Sequence, residues 1–193
     1  VPGMQYAAIK AAPVFGSAVA SVDSSKAEQR AGVTQVVNLG NAVAVVASGY
    51  WLAEQALKDV DVKWTATSND RVNTESLREQ FRKDITDAAT NGTSESDVEL
   101  GNYAEAFAGA ERVLEATYEV PFLAHACMEP MNATASVNGD MCEVWVGAQN
   151  PMGFRYEVAA ALELDPENVT VHQHFMGGGF GRRLNGDYGV PAL

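Results

Sequence analysis

The sequence is poor in cysteine and in positive charge, and it has no long apolar run. Its two cysteines, Cys127 and Cys142, are too few for a disulfide framework or a cysteine-rich zinc site. We expect both to be ordinary buried thiols. No apolar stretch approaches the ~20 residues that a membrane-spanning helix needs, and we therefore expect no membrane insertion.

The charge balance is strongly acidic. There are 13 basic and 25 acidic residues, which gives a formal net charge of −12. A field of this sign repels nucleic acid and anionic membrane surfaces, so we expect no nucleic-acid partner. The apolar fraction of 47% and the charged fraction of 20% are typical of a folded protein. A positively charged site on such a chain has to be local.

The periodicity of the apolar residues predicts a mixed α/β (α+β) fold. A continuous apolar run at 42–48 lies between two glycines, as in a strand that is buried on both faces. Apolar residues at helical spacing follow over 53–60, and another short strand follows at 60–64. These elements form a small α/β unit that ends near residue 67, and a polar joint at 68–75 follows it.

The rest of the chain predicts helices, strands and one hairpin. Asn150 and Pro151 have the residue types that cap and begin a helix. The predicted helices cover 77–88, 103–111 and 151–162, the predicted strands cover 113–122 and 169–175, and the hairpin turns at 138–140.

A glycine-rich segment, GGGFGRR at 177–183, follows the last predicted strand. Consecutive glycines let an anion approach the backbone N–H groups closely, and guanidinium groups of Arg182 and Arg183 suit phosphate oxygens. In an acidic chain this combination indicates an anionic cofactor. Dinucleotide fingerprints fail, because Arg182 and Leu184 stand where glycine is required, and no P-loop motif is present. The alternative interpretation is a glycine-rich turn with two solvated arginines.

Three motifs in this order resemble the molybdenum-binding subunit of the xanthine oxidase family, and above all its isoquinoline 1-oxidoreductase β-subunit branch. They are HACMEPMNATA at 125–135, WVGAQNP at 145–151 and the glycine-rich segment. The stretches at 2–16 and 44–64 resemble the α/β hammerhead domain of that family. The resemblance implies a hammerhead domain over 1–67 and a truncated molybdopterin-cofactor-binding domain over 68–193.

The resemblance also implies a chemistry. The cofactor would be molybdenum–molybdopterin, with the cytosine dinucleotide as its expected form. Water-derived oxygen would be inserted into an N-heterocyclic aromatic or aldehyde substrate, and electrons would leave through [2Fe-2S] clusters on a small partner subunit. The family's general-base glutamate lies in a downstream G-E motif outside these 193 residues. We therefore expect a fragment that is inactive by itself.

Site residues follow from the same resemblance. Gln149 matches the glutamine whose amide polarises the metal's oxo ligand, and Phe180 helps to wall the substrate channel, so these two are the expected catalytic residues. Molybdenum needs no protein ligand, because the pterin dithiolene supplies that bond. The expected cofactor-binding residues are Gln149, Gly178, Gly179, Phe180, Gly181 and Arg182. The role of Arg183 stays open.

Other residues allow two interpretations. His125 is either close to the active site or a hydrogen-bonded core histidine, and Glu129 is either a buried, paired carboxylate or a catalytic group. His172 and His174 share one strand face, but no third zinc ligand is evident. The alternative function is a stand-alone anion-binding, cofactor-binding or interaction module without catalysis. A generic phosphate-using enzyme is a third hypothesis, which the missing P-loop motif disfavours.

Overall fold

The computed structural model describes residues 1–190 except 94, 96 and 99. The chain divides into two compact units, which we call the N-terminal unit, Ala8–Val120, and the C-terminal unit, Val1–Ala7 together with the chain from Pro121 onward. The predicted domain boundary after residue 67 lies within the N-terminal unit and stays a prediction.

The first half of the N-terminal unit is built from short strands and two helices. Strands β1, β4 and β3 form one sheet in the order β1-β4-β3, and β2 pairs with β5 in an antiparallel ribbon. The elements are β1 (Tyr6–Ala11, which belongs to this unit from Ala8 onward), β2 (Val19–Asp23), α1 (Ser25–Glu28), β3 (Val33–Asn38), β4 (Ala42–Ala47), α2 (Tyr50–Leu57) and β5 (Asp61–Trp64).

Strand β4 is the centre of this half, as the continuous apolar run predicts. It lies between β1 and β3, and all its residues but one are buried. Helix α2 packs on it through Ala53, Ala56 and Leu57, which are three of the four residues that the helical spacing selects. The fourth, Val60, lies beyond the helix end but is buried in the same core.

The remainder of the N-terminal unit holds α3 (Thr74–Asn91) and α4 (Tyr103–Ala108), so both predicted helices are confirmed. The strand predicted over 113–122 is wrong. Its residues alternate as a strand does, but no described residue pairs with them in a sheet, and a strand needs such a neighbour for its backbone hydrogen bonds. Glu119 of this segment instead forms ion pairs with Arg78 and Arg82 of α3.

The C-terminal unit contains a strand–helix–strand arrangement. The predicted hairpin is confirmed as β6 (Ala133–Asn138) and β7 (Met141–Val146), and β8 (Val169–Gln173) lies parallel to β7. Helix α5 (Pro151–Ala161) connects β7 to β8, as parallel neighbours require. Asn150 caps it by accepting a hydrogen bond from the N–H of Gly153 at 2.9 Å, which confirms the predicted start.

One face of this small sheet packs on α5. The buried residues are Cys142, Val144, Val146 and Val169 from the strands and Phe154, Val158 and Ala159 from the helix. The mixed fold class predicted from the sequence is thereby confirmed. Among the residues that the structure describes, no helix combines the length and the apolarity that crossing a bilayer requires.

Phe154 tests this packing. Its side chain is 1% exposed, so Phe154→Ala leaves a cavity and should lower the free energy of unfolding by about 3–5 kcal/mol. Urea unfolding of the intact polypeptide that contains this chain measures the loss. Tyr156 on the same helix is 57% exposed, and Tyr156→Ala should change the free energy of unfolding by less than about 0.5 kcal/mol. Equal losses in the two variants would contradict the assigned packing.

Candidate functional site

The predicted motifs meet at one edge of the C-terminal sheet. Because β7 and β8 are parallel, their carboxyl ends lie at the same edge, where ligands commonly bind in α/β folds. Gln149 follows β7, and the glycine-rich segment follows β8. Two backbone hydrogen bonds join the end of β7 and the residues after it to the chain that follows β8. The N–H of His174 donates to the carbonyl of Val146, and the N–H of Gln149 donates to the carbonyl of Arg183, each at 2.9 Å.

The oxygen and the nitrogen of the Gln149 side-chain amide have different surroundings. Its Oε1 accepts hydrogen bonds from the backbone N–H groups of Gly181 at 2.9 Å and Arg183 at 3.3 Å. Two donors point at this atom, so it has to be the carbonyl oxygen and not the nitrogen. The NH₂ group makes no hydrogen bond to any described residue, and the side chain is exposed. It is therefore the part of Gln149 that can donate to a ligand.

The glycine-rich loop carries three free donors. Among the described residues, the backbone N–H groups of Gly178, Gly179 and Phe180 have no hydrogen-bond partner. Gly178 has φ +105° and Phe180 has φ +52°. Successive N–H groups in a chain that alternates with the left-handed region form the kind of concavity that binds anions.

Phe180 is held in a conformation that a bulky side chain avoids. A phenylalanine at a positive φ costs on the order of 1–3 kcal/mol and persists only where the surroundings enforce it. The residue is 74% exposed. Gly181, which is expected among the cofactor-binding residues, is not one of the free donors, because its N–H is already bound to Gln149. Its part is to hold the loop against that side chain.

Arg182 and Arg183 have different environments. Arg182 forms a fork on the carboxylate of Asp187, at 2.8 and 3.0 Å, and its side chain is partly exposed. It lines a cleft of about 290 Å³ together with His125, Cys127 and Glu129. It can therefore still reach an anion in that cleft.

Arg183, by contrast, is 1% exposed. Its Nε donates to the carbonyl of Gly178 at 2.8 Å and its Nη1 to that of Gly147 at 3.3 Å. Its Nη2 donates to the backbone and side chain of Glu129, at 3.0 and 2.8 Å. Arg183, whose role the sequence left open, is therefore not available as a second phosphate-binding fork, because every nitrogen of its guanidinium is already bound inside the protein.

Glu129 is the paired carboxylate that the sequence analysis allowed for, although a third of its side chain is exposed. Besides Arg183, it accepts hydrogen bonds from the N–H of Gly177 at 2.8 Å and from Asn132 at 3.1 Å. The N–H of Gly177 above all, then Asn132 and the charge of Arg183, hold the pKa of this carboxyl below its ordinary value. The sequence allowed for a paired carboxylate at Glu129 but gave no signal that Arg183 is its cation.

The histidines are also placed. His125 is exposed and lines the cleft beside Arg182, so it is not a core histidine. His172 binds Glu143, with Nε2 and Oε2 2.8 Å apart, and stacks on Trp145. The side-chain partner of His172 is thus the carboxylate of Glu143 and not His174.

The prediction of buried thiols is half right. Cys142 is buried in the sheet, and burial raises the pKa of its thiol. Cys127 is only half-buried, and its Sγ lies 3.4 Å from the carbonyl oxygen of Gly179. The prediction fails for Cys127 because its neighbours in space are the polar backbone of the glycine loop, which the flanking sequence does not reveal.

Comparison with solved structures defines the class of fold. Quinoline 2-oxidoreductase from Pseudomonas putida 86 matches with a TM-score of 0.68 at 18% identity, over 100% of this chain and 30% of that chain. This likeness concerns the fold alone. It agrees with the α/β class of fold.

Comparison of sequences gives the family. The model of the molybdopterin cofactor-binding domain matches residues 85–193, which is more than half of the chain. The chain therefore belongs to the molybdopterin cofactor-binding domain family, and the resemblance to molybdenum-binding subunits of the xanthine oxidase family is confirmed.

Two curated relatives match over most of the chain. The β-subunit of isoquinoline 1-oxidoreductase from Brevundimonas diminuta is 32% identical over 95% of this chain and 24% of its own length. The membrane-bound aldehyde dehydrogenase of Gluconacetobacter polyoxogenes, whose name includes pyrroloquinoline quinone, is 29% identical over 100% of this chain and 26% of its own length. The chain thus spans about a quarter of the length of these relatives.

Gly179 tests the contact between the loop and Gln149. A Cβ at this position would lie 2.6 Å from Oε1 of Gln149, so Gly179→Ala should push the amide away and leave the N–H groups of Gly181 and Arg183 without their acceptor. We expect the free energy of unfolding to fall by about 1–3 kcal/mol in urea unfolding. Gly109→Ala is the control, because Gly109 has φ −89° and only an ordinary contact at 3.4 Å. A loss no larger than the control's would refute the contact.

Glu129 gives a pH dependence. Its pKa lies below the ordinary value of 4.5, so its pairing stabilises the fold above that pH and this stabilisation is lost as the pH falls through the folded-state pKa. We expect the stability difference between wild type and Glu129→Gln to be largest above about pH 5 and to shrink on acidification. Urea unfolding at several pH values measures it.

The control for this prediction is Glu79→Gln, which removes an exposed carboxylate on α3. It should leave the free energy of unfolding within about 0.5 kcal/mol of wild type at every pH. A Glu129→Gln difference that stays constant from neutral to acidic pH would show that the carboxylate's charge contributes nothing.

Proposed function

We propose that this chain forms part of the cofactor site of a molybdenum hydroxylase, which oxidises an N-heterocyclic aromatic or aldehyde substrate with oxygen derived from water. The observation that supports it most is the set of free donors at one sheet edge. The NH₂ group of Gln149 and the N–H groups of Gly178, Gly179 and Phe180 are all unbound among the described residues.

The donor set suits molybdopterin. This group is anionic, carries its own sulfur ligands for the metal, and needs oriented N–H donors from the protein. The chain offers such donors on the loop and at Gln149, and it offers a guanidinium in the neighbouring cleft at Arg182. When bound, the molybdenum cofactor supplies the transfer of oxygen and the uptake of two electrons.

The residues of the chain then have separate tasks. The fixed carbonyl of Gln149 keeps its NH₂ group at the loop, where this group would donate to an oxygen of the cofactor. The N–H groups of Gly178 to Phe180 would bind the anionic group. Arg182 would release the carboxylate of Asp187 and bind phosphate oxygens in its place. The exposed ring of Phe180 would offer a flat apolar wall to a planar substrate.

The finer assignments belong to the same proposal. We propose the cytosine dinucleotide form of molybdopterin, a hammerhead domain over 1–67, and a small subunit with [2Fe-2S] clusters as electron acceptor. One relative is named as the β-subunit of an oxidoreductase, which supports a partner subunit in general. Cofactor binding without catalysis by a stand-alone module is the alternative function.

The experiment is cofactor analysis of the intact polypeptide that contains this chain, produced in a host that makes molybdenum cofactors. Metal analysis, pterin fluorescence and nucleotide release should give molybdenum, pterin and cytidine monophosphate in equal amounts. Pyrroloquinoline quinone in place of molybdenum, or neither group, would refute the proposal. Bound molybdopterin without turnover of N-heterocycles or aldehydes would favour the non-catalytic module.

Gln149→Glu tests the donor role of the amide. The variant keeps the oxygen that accepts from Gly181 and Arg183 but replaces the NH₂ donor by an anionic oxygen. We expect the cofactor to bind about 10-fold to 100-fold more weakly, which corresponds to a lost hydrogen bond to a charged group. Gln35→Glu adds the same charge at an exposed position of β3 and should leave binding unchanged. Equal affinities of the two variants would count against Gln149.

A further inference from the structure

We propose that Arg183, paired with Glu129, is a positioning residue that sets the direction of the free N–H groups of the glycine loop. This inference rests on the proposed function, since those N–H groups are the donors assigned to the anionic cofactor. Arg183 itself is buried, and every nitrogen of its guanidinium is bound within the protein, so its effect has to pass through the backbone of the loop.

The first step is the geometry of the peptide unit. A trans peptide is planar, so the carbonyl of one residue and the N–H of the next point in opposite directions. The carbonyl of Gly178 accepts from Nε of the buried Arg183 at 2.8 Å. The N–H of Gly179 belongs to the same peptide unit and therefore points away from the protein interior.

The neighbouring peptide units are anchored in the same way. The carbonyl of Gly177 accepts from the N–H of Glu129 at 3.0 Å, and this directs the N–H of Gly178 away from Glu129. The carbonyl of Gly179 accepts from the N–H of Arg182 at 2.8 Å, and this orients the N–H of Phe180. Every one of the three free donors thus has its partner carbonyl tied down.

Arg183 connects these anchors. Its side chain binds Gly178, Gly147 and Glu129, while its N–H donates to Oε1 of Gln149 and its carbonyl accepts from the N–H of Gln149. Loss of the guanidinium would free the carbonyl of Gly178 and leave Glu129 without its cation. The loop would then be free to rotate the peptide unit that carries the N–H of Gly179.

A planar fork is needed for this task. The guanidinium uses three nitrogens on acceptors from three segments, whereas an ammonium is a compact charge that cannot span them together. The conservative variant Arg183→Lys keeps the charge opposite Glu129 and loses the fork. It therefore separates the geometry of the arginine from its charge.

The test compares Arg183→Lys with Arg155→Lys in the intact polypeptide. Arg155 is also an arginine whose Nε binds a backbone carbonyl, that of Pro166, but it lies away from the glycine loop. In the cofactor-free protein, hydrogen exchange over residues 176–184, measured at the bonded N–H groups of Gly177, Gly181 and Arg182, should become about 10-fold faster in Arg183→Lys. In Arg155→Lys it should match wild type, even where the two variants lose similar thermal stability.

The second readout is retention of the cofactor. The molybdenum cofactor should dissociate about 10-fold faster from Arg183→Lys than from wild type, and at the wild-type rate from Arg155→Lys. Should Arg183→Lys fail to fold, Glu129→Gln serves instead, because it leaves the arginine in place without its counter-charge. It should raise exchange over 176–184 in the same direction.

The outcomes separate the two proposals. Unchanged exchange over 176–184 in the Arg183 and Glu129 variants overturns the positioning role, whatever the wild-type protein binds. The positioning role is also overturned if exchange over 176–184 rises in both Arg183→Lys and Arg155→Lys in proportion to the loss of global stability. Faster loop exchange in a protein that never binds molybdopterin supports the positioning of the loop and refutes the proposed function.

Discussion

The irregular parts of the C-terminal unit depend on one buried guanidinium, that of Arg183. Removing a charged group from water is costly unless hydrogen bonds and an opposite charge compensate for it. Arg183 meets this condition only if the backbone at Gly147, the loop at Gly178 and the segment around Glu129 converge on it. That last segment has no regular secondary structure, so its position depends on these contacts. The arginine thereby organises the irregular parts that a sheet and a helix alone would leave undefined.

The same pairing decides the electrostatics of the site. Glu129 neutralises Arg183, and Asp187 occupies the fork of Arg182, so the edge of the sheet carries little net positive charge. In the proposed site the anion would be held mainly by oriented N–H dipoles, which are neutral groups, and Arg182 would add one charge once it releases Asp187. Dipoles of this kind do not change their charge with pH and need no counterion when the ligand is absent. In a chain with a net charge of −12, they offer local affinity without a strongly basic surface.

Local signals in the sequence predicted much of the fold. The apolar run of β4, the turn of the β6–β7 hairpin and the cap at Asn150 each depend on residues that are neighbours in the chain. The strand expected over 113–122 failed because pairing depends on a distant partner, which alternation does not supply. The sequence predicted that Gln149 and the glycine-rich segment belong to one site. The inward direction of Arg183 was not predictable, because spacing within a loop does not determine which side chain faces the interior.

The glycines of the loop serve more than access of an anion to the backbone. Access for an anion accounts for a bare backbone in general, but each glycine has its own steric reason. A Cβ on Gly177 would clash with the side chain of Glu129, and a Cβ on Gly179 would lie 2.6 Å from Oε1 of Gln149. Gly178 between them takes φ +105°, a conformation that side chains disfavour. Two of the three glycines therefore serve close packing against the residues that orient the loop. Because that packing fixes the carbonyls, it also fixes the donors, and the requirement for glycine and the direction of the N–H groups have the same structural cause.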